Sequence, residues 1–473
     1  MELCAERKTP LGETKWNQFL YSPAWFALLG LLTLAANVFQ AELPVYVCLV
    51  IGAVCVCLWG RDLLPLMPVA VCCYLAPSGS NNPGVSETSF FYSGGGYVLI
   101  VLAVILAAAL IFRLATDKRI GFRALIRTKR KLLSGMLLLG GAYVLAGAFS
   151  GYYFDRGGFN LLFGFLQFAA VFFLYFLMTA CVDWERAPRD YFAWLGIMMG
   201  FLLLGELAWI YISRGVVVDG EIIRKRIITG WGHYNNIGAM LLMAMPFAFQ
   251  LACVRKRGWI WYLVGTAFLL GVFATCSRNS ILFGVAIYGL CCLLWLLRSR
   301  DRRTALICIL AVVGGALALL LLLRAQVVRL FWDMISRGAE SDGRIDMYRS
   351  AMEQFLDHPI FGGSFYPNEY ENEYAFLTVD AFSAFFPHRW HNTPLQILAS
   401  CGVVGLAAYS VHRIQTLRLL WKAPTTENLS IGLSVLALLL TSLLDCHFFN
   451  IGPTLVYSMA LAFLEKKHEN ACN

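Results

Sequence analysis

The stretch WIWYLVGTAFLLGVFATCSRNSILFGVAIYGLCCLLWLLR, residues 259–298, consists of two apolar blocks, 259–275 and 279–298, that flank a short polar turn. At about 1.5 Å per residue, a helix of about 20 residues crosses roughly 30 Å of hydrocarbon. A helix on the surface of a soluble protein carries polar residues along one face, and neither block does. The stretch therefore predicts two membrane-spanning helices joined by a tight turn.

The same pattern extends over the whole chain of 473 residues. Apolar residues make up 59% of it and charged residues 14%, against about 45–50% and about 25% in soluble domains. The candidate spans lie near 21–38, 44–60, 62–77, 96–115, 132–150, 160–182, 191–213, 236–253, 259–275, 279–298, 304–323, 392–411, 429–448 and 451–465. The third is short enough to tilt or re-enter. The sequence thus predicts an all-α polytopic membrane protein with about 14 (12–14) transmembrane helices.

The basic residues predict the orientation of these helices. Most of the 38 Lys and Arg residues precede the first block or follow an even-numbered one, so a fourteen-span arrangement collects them on one face. Cytoplasmic loops carry an excess of Lys and Arg, and this face is therefore predicted to be cytoplasmic, with both termini on it. The net charge of +9 then reflects topology, and we expect no nucleic-acid partner.

This topology divides the chain into three regions. Residues 1–323 form the first eleven spans, residues 324–391 a large extracytoplasmic loop, and residues 392–473 the last three spans with a cytoplasmic tail. Within the loop, Ile345, Tyr348 and Met352 recur at helical spacing before Pro359, so an amphipathic helix is expected over about 345–357.

The basic residues outside this cytoplasmic set are all Arg except Lys225. Arg has a rigid fork of donors that matches phosphate, whereas Lys is a point charge. Four external features carry the candidate residues: Arg224 and Arg226 with the following turn to Asn236, Ser277-Arg278-Asn279-Ser280, Gly343-Arg344, and His391-Asn392. The alternative for each Arg is an anchor at the lipid headgroups or a solvated surface residue, and a lone His at a helix start is more often structural.

These residue types together suit an anionic substrate in the membrane. Arginines can bind a diphosphate and stabilise the charge that develops as it leaves. A His with an ordinary pKa near 6.5 can accept a proton from an acceptor hydroxyl at neutral pH. No external Asp-x-Asp pair is evident, and we expect neither a metal nor a cofactor.

The order of these motifs resembles the O-antigen ligase / O-antigen polymerase superfamily of bacterial membrane glycosyltransferases of the GT-C class. The matching segments are RIITGWGHYNNIGAMLLMAMPFA (226–248), CSRNSILFG (276–284), GRIDMYRSAMEQFLDHPIFGGSF (343–365) and HNTPLQILASCGVVGLAAY (391–409). Each is weak alone, but together they follow the family order around one large loop. Two positions depart from the usual pattern: Tyr348 replaces the commoner Trp, and GGSF replaces Gly-x-Gly.

The resemblance implies a glycosyltransferase of cell-surface polysaccharide (lipopolysaccharide) biosynthesis in the bacterial inner membrane. Such enzymes move a glycan from undecaprenyl diphosphate to an acceptor hydroxyl on the outer face, without metal and with inversion. By the family pattern, His391 is the base, and Arg278 and Arg344 act with it in catalysis. The same pattern gives diphosphate binding to Arg224, Arg226, Arg278 and Arg344, and supporting roles to Asn236, Tyr348 and Asn392.

The motifs leave the acceptor open. It could be a lipid A core sugar, the end of a growing glycan, a protein hydroxyl, or a wall or capsule polymer. A flippase for lipid-linked glycans, another transporter, or a scaffold without chemistry would also have many apolar helices, in contact with membrane lipids. Transporters commonly hold charged groups at the midplane and carry internal repeats, and neither is evident here.

Overall fold

A computed structural model describes residues 14–76, 95–117, 122–150, 165, 169, 172–218, 221–230, 232–322, 324, 344–365, 389–422 and 424–472. The described residues are 79% helical and form 17 helices, and the all-α prediction is confirmed. Within the described ranges, seven helices are long and apolar enough to cross a membrane. The count of fourteen spans, the outline of the large loop and the domain limits stay predictions.

The helices are numbered here in chain order. The first nine are α1 Lys15–Leu20, α2 Pro23–Phe39, α3 Glu42–Trp59, α4 Leu66–Leu75, α5 Gly95–Thr116, α6 Phe122–Arg127, α7 Leu133–Val144, α8 Phe172–Cys181 and α9 Tyr191–Ser213. The others are α10 Tyr234–Val254, α11 Gly258–Ala274, α12 Arg278–Arg298, α13 Arg302–Leu322, α14 Arg344–Asp357, α15 Thr393–Lys422, α16 Thr426–Thr441 and α17 Ile451–Cys472.

Two short antiparallel hairpins precede α10. Strands β1 Val217–Val218 and β2 Glu221–Ile222 form the first, and β3 Ile228–Thr229 and β4 Gly232–His233 form the second. The Thr229 hydroxyl donates to the buried carboxylate of Glu206 in α9 at 2.6 Å. This hydrogen bond ties the second hairpin to the bundle at the point where α10 begins.

Several predicted spans differ from the structure in length. The block 62–77 contains only the ten residues of α4, about 15 Å of helix, where about 20 residues are typical of a span. The block 132–150 contains the twelve residues of α7, and α15 continues past the block 392–411 to Lys422. The block 429–448 ends early, because α16 stops at Thr441. The chain then runs without α-helix to Asn450, with one 3-10 turn at His447–Phe449.

Helix α10 is the centre of the bundle, and nearly all of its side chains are buried. It is packed between α9, α11, α12 and α16. Small residues allow the close approach: a Cβ on Gly200 of α9 would lie 2.2 Å from the ring of Phe268 in α11. Membrane helices associate through such small residues because apolar burial gives no net driving force between them in lipid.

The bundle has two ends that α10 connects. At one end, Asn235 near the start of α10 contacts Asp445, which also contacts His391; we name this the His391 end. At the other, Arg255 after α10 pairs with Asp190, close to a cluster around Asp62. We name this the Asp62 end. The 21 residues of α10 separate the two ends by about 30 Å.

Helix α14 matches the helix predicted at 345–357, and a break in α15 holds the turn that follows it. Gly402 has φ 64° and interrupts α15. The amides of Val403 and Val404 donate instead to Pro359 and Ile360 at 2.9 and 3.2 Å. A Cβ on Gly362 would lie 2.2 Å from the carbonyl carbon of Ser400, so glycine is required at this crossing. The break at Gly402 therefore holds the turn that follows α14 in place against α15.

Candidate active site

An imidazole and a carboxylate form the centre of the site. His391 Nδ1 lies 3.2 Å from Asp445 Oδ1. The His391 side chain is 35% exposed and that of Asp445 only 4%. The backbone amide of Cys446 donates to the same carboxylate oxygen at 2.7 Å. The carboxylate therefore fixes the ring of His391 and leaves the second ring nitrogen directed away from it, as in pairs where an acid orients a general base.

His391 is held in an unusual backbone conformation. Its φ is 50°, a left-handed value that costs a non-glycine residue about 1–2 kcal/mol. Tyr348 of α14 donates its hydroxyl to the His391 carbonyl at 3.3 Å. Asn392 accepts from the Leu395 amide and donates to the Leu443 carbonyl. It therefore caps α15 and connects it to residues 441–446, the segment that contains Asp445 and that we name the Asp445 segment. Strain of this kind is concentrated at functional sites.

Four α-helices begin around one short segment, residues 441–446, which contains Asp445. Each contact comes from the first or second residue of a helix: Asn235 Nδ2 to Asp445 Oδ2 (2.8 Å), Asn279 Nδ2 to the Thr441 carbonyl (2.6 Å), Arg344 Nη1 to the Leu444 carbonyl (3.1 Å) and the Thr393 amide to the Ser442 carbonyl (2.8 Å). A helix N-terminus carries about half a positive charge. Together they favour an anion beside this segment.

Further imidazoles surround the carboxylate. His447 is fully buried, with Nε2 at 3.9 Å from Asp445 Oδ2 and Nδ1 at 3.2 Å from Asn236 Oδ1. Asn236 Oδ1 also accepts from Asn450 at 2.8 Å. His233 precedes α10, and its Nδ1 accepts from the Asn235 amide at 3.2 Å. Asn236 therefore supports the wall of the site through His447 and Asn450.

The charges of these groups follow from burial and proximity. Burial alone would raise the pKa of Asp445, but His447 and the hydrogen bond from His391 outweigh it and leave that pKa well below its usual range. Burial lowers the pKa of His447, and it lowers the pKa of His233 to about 4. Asp445 is therefore an anion at neutral pH, and burial favours the neutral form of His447 and His233.

The arginines named from the sequence occupy different places. Arg344 lies next to Asp445 in space through the Leu444 carbonyl. Arg278 begins α12 beside Ser277, and its guanidinium makes no hydrogen bond or ion pair with any described residue. Arg278 and Arg344 thus both come to the Asp445 segment, as the site prediction requires, but their binding of a diphosphate stays a prediction.

Arg224 and Arg226 lie in the loop before α10. The Arg224 guanidinium is 5.6 Å from the ring centroid of Tyr234. Arg226 donates through one nitrogen to the carbonyls of Gly215 and Arg214 at 2.6 and 3.3 Å. Arg226 therefore braces the loop, and no contact among the described residues joins it to Asp445.

Sequence reasoning missed the carboxylate itself. Asp445 and His447 lie in TSLLDCHFFN, residues 441–450, which hydropathy placed largely inside a span. The signal was present: an ionisable residue in such an apolar stretch usually faces a polar cavity and marks a functional site. Asn235, quoted in the first motif without a role, was also missed. In the described ranges, no group of three His, Cys, Asp or Glu side chains is arranged to hold a metal.

The comparisons with known proteins agree with the motifs. Residues 262–410 match the model of a family described as O-antigen ligase. That match includes α12 with Arg278, α14 with Arg344 and Tyr348, and the start of α15 with His391. No curated protein matches the chain.

Proposed function

We propose, on the premise that this chain belongs to the O-antigen ligase/polymerase family, that it transfers a glycan from undecaprenyl diphosphate to an acceptor hydroxyl. The family supports a ligase- or polymerase-like activity in O-antigen biosynthesis, with a lipid-linked glycan and a polysaccharide acceptor as general partners. The apolar helices and the family indicate a bacterial membrane protein. The observation that carries the proposal is the His391–Asp445 pair, surrounded by four helix N-termini and by arginines that pair with no carboxylate among the described residues.

The donor diphosphate is placed against Arg278 and Arg344. Each begins an α-helix at the Asp445 segment, so the guanidinium and the helix dipole act on the same anion. The negative charge grows on the diphosphate as its bond to the sugar breaks. Groups already aimed at that charge lower the barrier without reorganising during the reaction.

The acceptor is activated by His391. Its Nδ1 faces Asp445, so Nε2 takes the proton of the acceptor hydroxyl as the oxygen attacks the anomeric carbon. The new glycosidic C–O bond forms while the C–O bond to the diphosphate breaks, and that electron pair leaves with undecaprenyl diphosphate. The proton remains on His391, where Asp445 stabilises the imidazolium. One displacement of this kind inverts the anomeric centre.

The extracytoplasmic position of the site belongs to the same proposal. The positive-inside distribution places the Asp62 end in the cytoplasm and the His391 end outside, where lipid-linked glycans with finished repeat units would be presented. Cysteine labelling at Glu353, an exposed position of α14, in a variant without reactive surface cysteines, tests it. Labelling by an impermeant reagent from outside is expected, and labelling only from the cytoplasm would overturn the orientation and with it the mechanism.

The activity is tested by transfer in vitro. The purified protein is mixed with undecaprenyl-diphosphate-linked glycan and EDTA, with a lipid A core acceptor in one reaction and none in the other. Laddered chains without added acceptor identify a polymerase, and a single glycan shift on the lipid identifies a ligase. No transfer to lipid, glycan or protein acceptors by folded protein, with glycan movement across vesicles instead, would contradict the proposal in favour of a flippase.

A further inference from the structure

Asn235 connects the two chemical halves of the site. Its Nδ2 donates to Asp445 Oδ2 at 2.8 Å, and its Oδ1 accepts from the Ser277 hydroxyl at 2.8 Å. Ser277 is the N-cap of α12 and precedes Arg278. One amide therefore links the carboxylate that orients His391 to the helix start that presents a guanidinium.

This link is buried and directional. Asn235 is 8% exposed, and Ser277 is fully buried, so neither contact can be exchanged for water without cost. The Ser277 hydroxyl also lies 3.1 Å from the Ser280 hydroxyl. Because the ionised carboxylate of Asp445 can only accept, the NH₂ group of Asn235 is the one that faces it, and the amide oxygen accepts from Ser277.

Few other groups approach Oδ2 of the Asp445 carboxylate. Asp445 Oδ2 faces His447 Nε2 at 3.9 Å, which is beyond hydrogen-bond distance. Since Oδ1 is shared between His391 and the Cys446 amide, the amide of Asn235 alone, among described groups, donates to Oδ2 at hydrogen-bond distance. The direction in which Oδ1 points at His391 therefore depends on Asn235.

We propose that Asn235 is a positioning residue that aligns Asp445 with His391 and sets the pair relative to Arg278; this rests on the proposed transfer reaction. Asn235 touches neither donor nor acceptor in this role. It acts by supplying a neutral donor to an anionic acceptor. A carboxyl group at the same place can do so only while it carries a proton.

The test is therefore the isosteric substitution Asn235→Asp. Two carboxyl groups at hydrogen-bond distance share one proton, and their second ionisation is shifted to higher pH. While the shared proton is present, Asp at 235 still donates to Asp445. Once it is lost, two anions face each other with no donor between them. The groups that face this pair, and that limit the size of the shift, are His233, Arg344, Tyr348, Arg389, His391, Cys446 and His447.

The measurement is kcat/KM for glycan transfer against pH. For Asn235→Asp we expect a new alkaline limb, so that activity falls as pH rises through a range where the wild-type profile is flat, and recovers on lowering the pH. Asn235→Ala has no donor at any pH and should lose about 10- to 100-fold throughout. A purely structural role would lower the rate without an alkaline limb that is reversible in pH.

A residue at the Asp62 end provides the matched control. Asn17 uses its oxygen to accept from the Arg61 amide, so Asn17→Asp keeps this contact, adds a carboxyl group far from Asp445 and should retain the wild-type profile. If Asn235→Asp does not fold, Ser277→Ala and Ser277→Thr replace it: only Thr keeps the hydroxyl that orients the amide, so only Ala should lose rate. An Asn235→Asp profile like that of the wild type, or equal rates for both Ser277 variants, overturns the inference. Absence of transfer by the wild type would instead contradict the proposed function.

Discussion

The two ends of the bundle differ in how their arginines are paired. At the Asp62 end four guanidiniums pair with aspartates, in Arg61–Asp62 (3.3 Å), Arg113–Asp117 (3.1 Å), Arg186–Asp183 (3.6 Å) and Arg255–Asp190, while Arg130 and Arg298 donate to backbone carbonyls. At the His391 end, in the described residues, the only Arg–carboxylate pair is Arg349–Asp346, within the exposed face of α14. No described carboxylate pairs with Arg224, Arg226, Arg278, Arg344 or Arg389.

We interpret this difference in terms of two roles. The paired arginines at the Asp62 end stabilise the fold, whereas the arginines at the His391 end are available to bind an anionic ligand. Asp62 is buried, and it accepts from the Leu64 and Asp183 amides as well as from Arg61. Its interactions are complete within the protein. Asp445 is as deeply buried, but its partners are imidazoles and amides, and the nearby guanidiniums pair with no carboxylate among the described residues. A diphosphate is an anion that such guanidiniums can bind.

The largest effect is expected from His391. His391→Ala removes the group that takes the acceptor proton, and a general base contributes about 10²- to 10⁴-fold to the rate. Glycan transfer should fall by that factor with little change in thermal stability. His358, which lies between α14 and the turn at the α15 break, gives the control: His358→Ala should keep the wild-type rate. Equal activity of the two variants would remove His391 from the mechanism.

The second-largest loss of rate is expected from Asp445→Asn. The substitution keeps the shape but takes away the counter-charge of the imidazolium, which at about 3 kcal/mol corresponds to roughly 100-fold in rate. The same substitution at the other end, Asp62→Asn, should lower the melting temperature and leave the rate per folded molecule unchanged. If Asp62→Asn lowers the rate as much as Asp445→Asn, the contrast between the two ends has no functional meaning.

A smaller effect is expected from a single guanidinium. Arg278→Ala removes one charged donor to the diphosphate, about 1.5–3 kcal/mol or 10- to 100-fold in kcat/KM, and Arg278→Lys should recover only part because ammonium is a point charge. Arg255→Ala at the Asp62 end removes an exposed ion pair that is worth about 0–1 kcal/mol. The kinetics of Arg255→Ala should equal those of the wild type. Full activity of Arg278→Ala would exclude it as a diphosphate ligand.

The smallest effect is expected from Arg226, and it distinguishes a structural contact within the loop from binding of the diphosphate. Arg226 donates to backbone carbonyls, and Lys at this position can keep one such bond. Arg226→Lys should therefore cost at most about 1 kcal/mol, or about fivefold, and it should not change the KM for the donor. A donor KM that rises as much as in Arg278→Ala would return Arg226 to the diphosphate site.

The sequence predicted more of the fold than of the site. Apolar blocks such as 279–298 are long and uninterrupted, so α12 follows directly from them, and the periodicity of 345–357 located α14 to within one residue. Block 429–448 was wrong at its end because hydropathy averages over a window. Such an average does not show that residues 442–450 lie outside the helix, where the segment with Asp445 contacts the starts of four other helices.

Site residues could be proposed from the sequence where one residue suffices to signal chemistry, and their roles stay predictions. Arg278, Arg344 and His391 stand at helix starts beside polar turns, and the structure brings them to one segment. Asp445 and Asn235 could not be paired in the same way, because they are 210 residues apart and each has an ordinary structural explanation alone. Arg226 remains a predicted diphosphate ligand, and the structure adds that one of its nitrogens donates to backbone carbonyls.

The most direct test of the contrast between the ends is donor binding without turnover. Undecaprenyl diphosphate without a glycan is titrated into the protein in detergent and its Kd is measured for the wild type, for Arg278→Ala combined with Arg344→Ala, and for Arg255→Ala combined with Arg186→Ala. The account predicts that the first double variant weakens binding by about 100-fold or more, while the second binds as the wild type does. Equal loss in both, or no loss in the first, would contradict the claim that the His391 end keeps its arginines for the diphosphate.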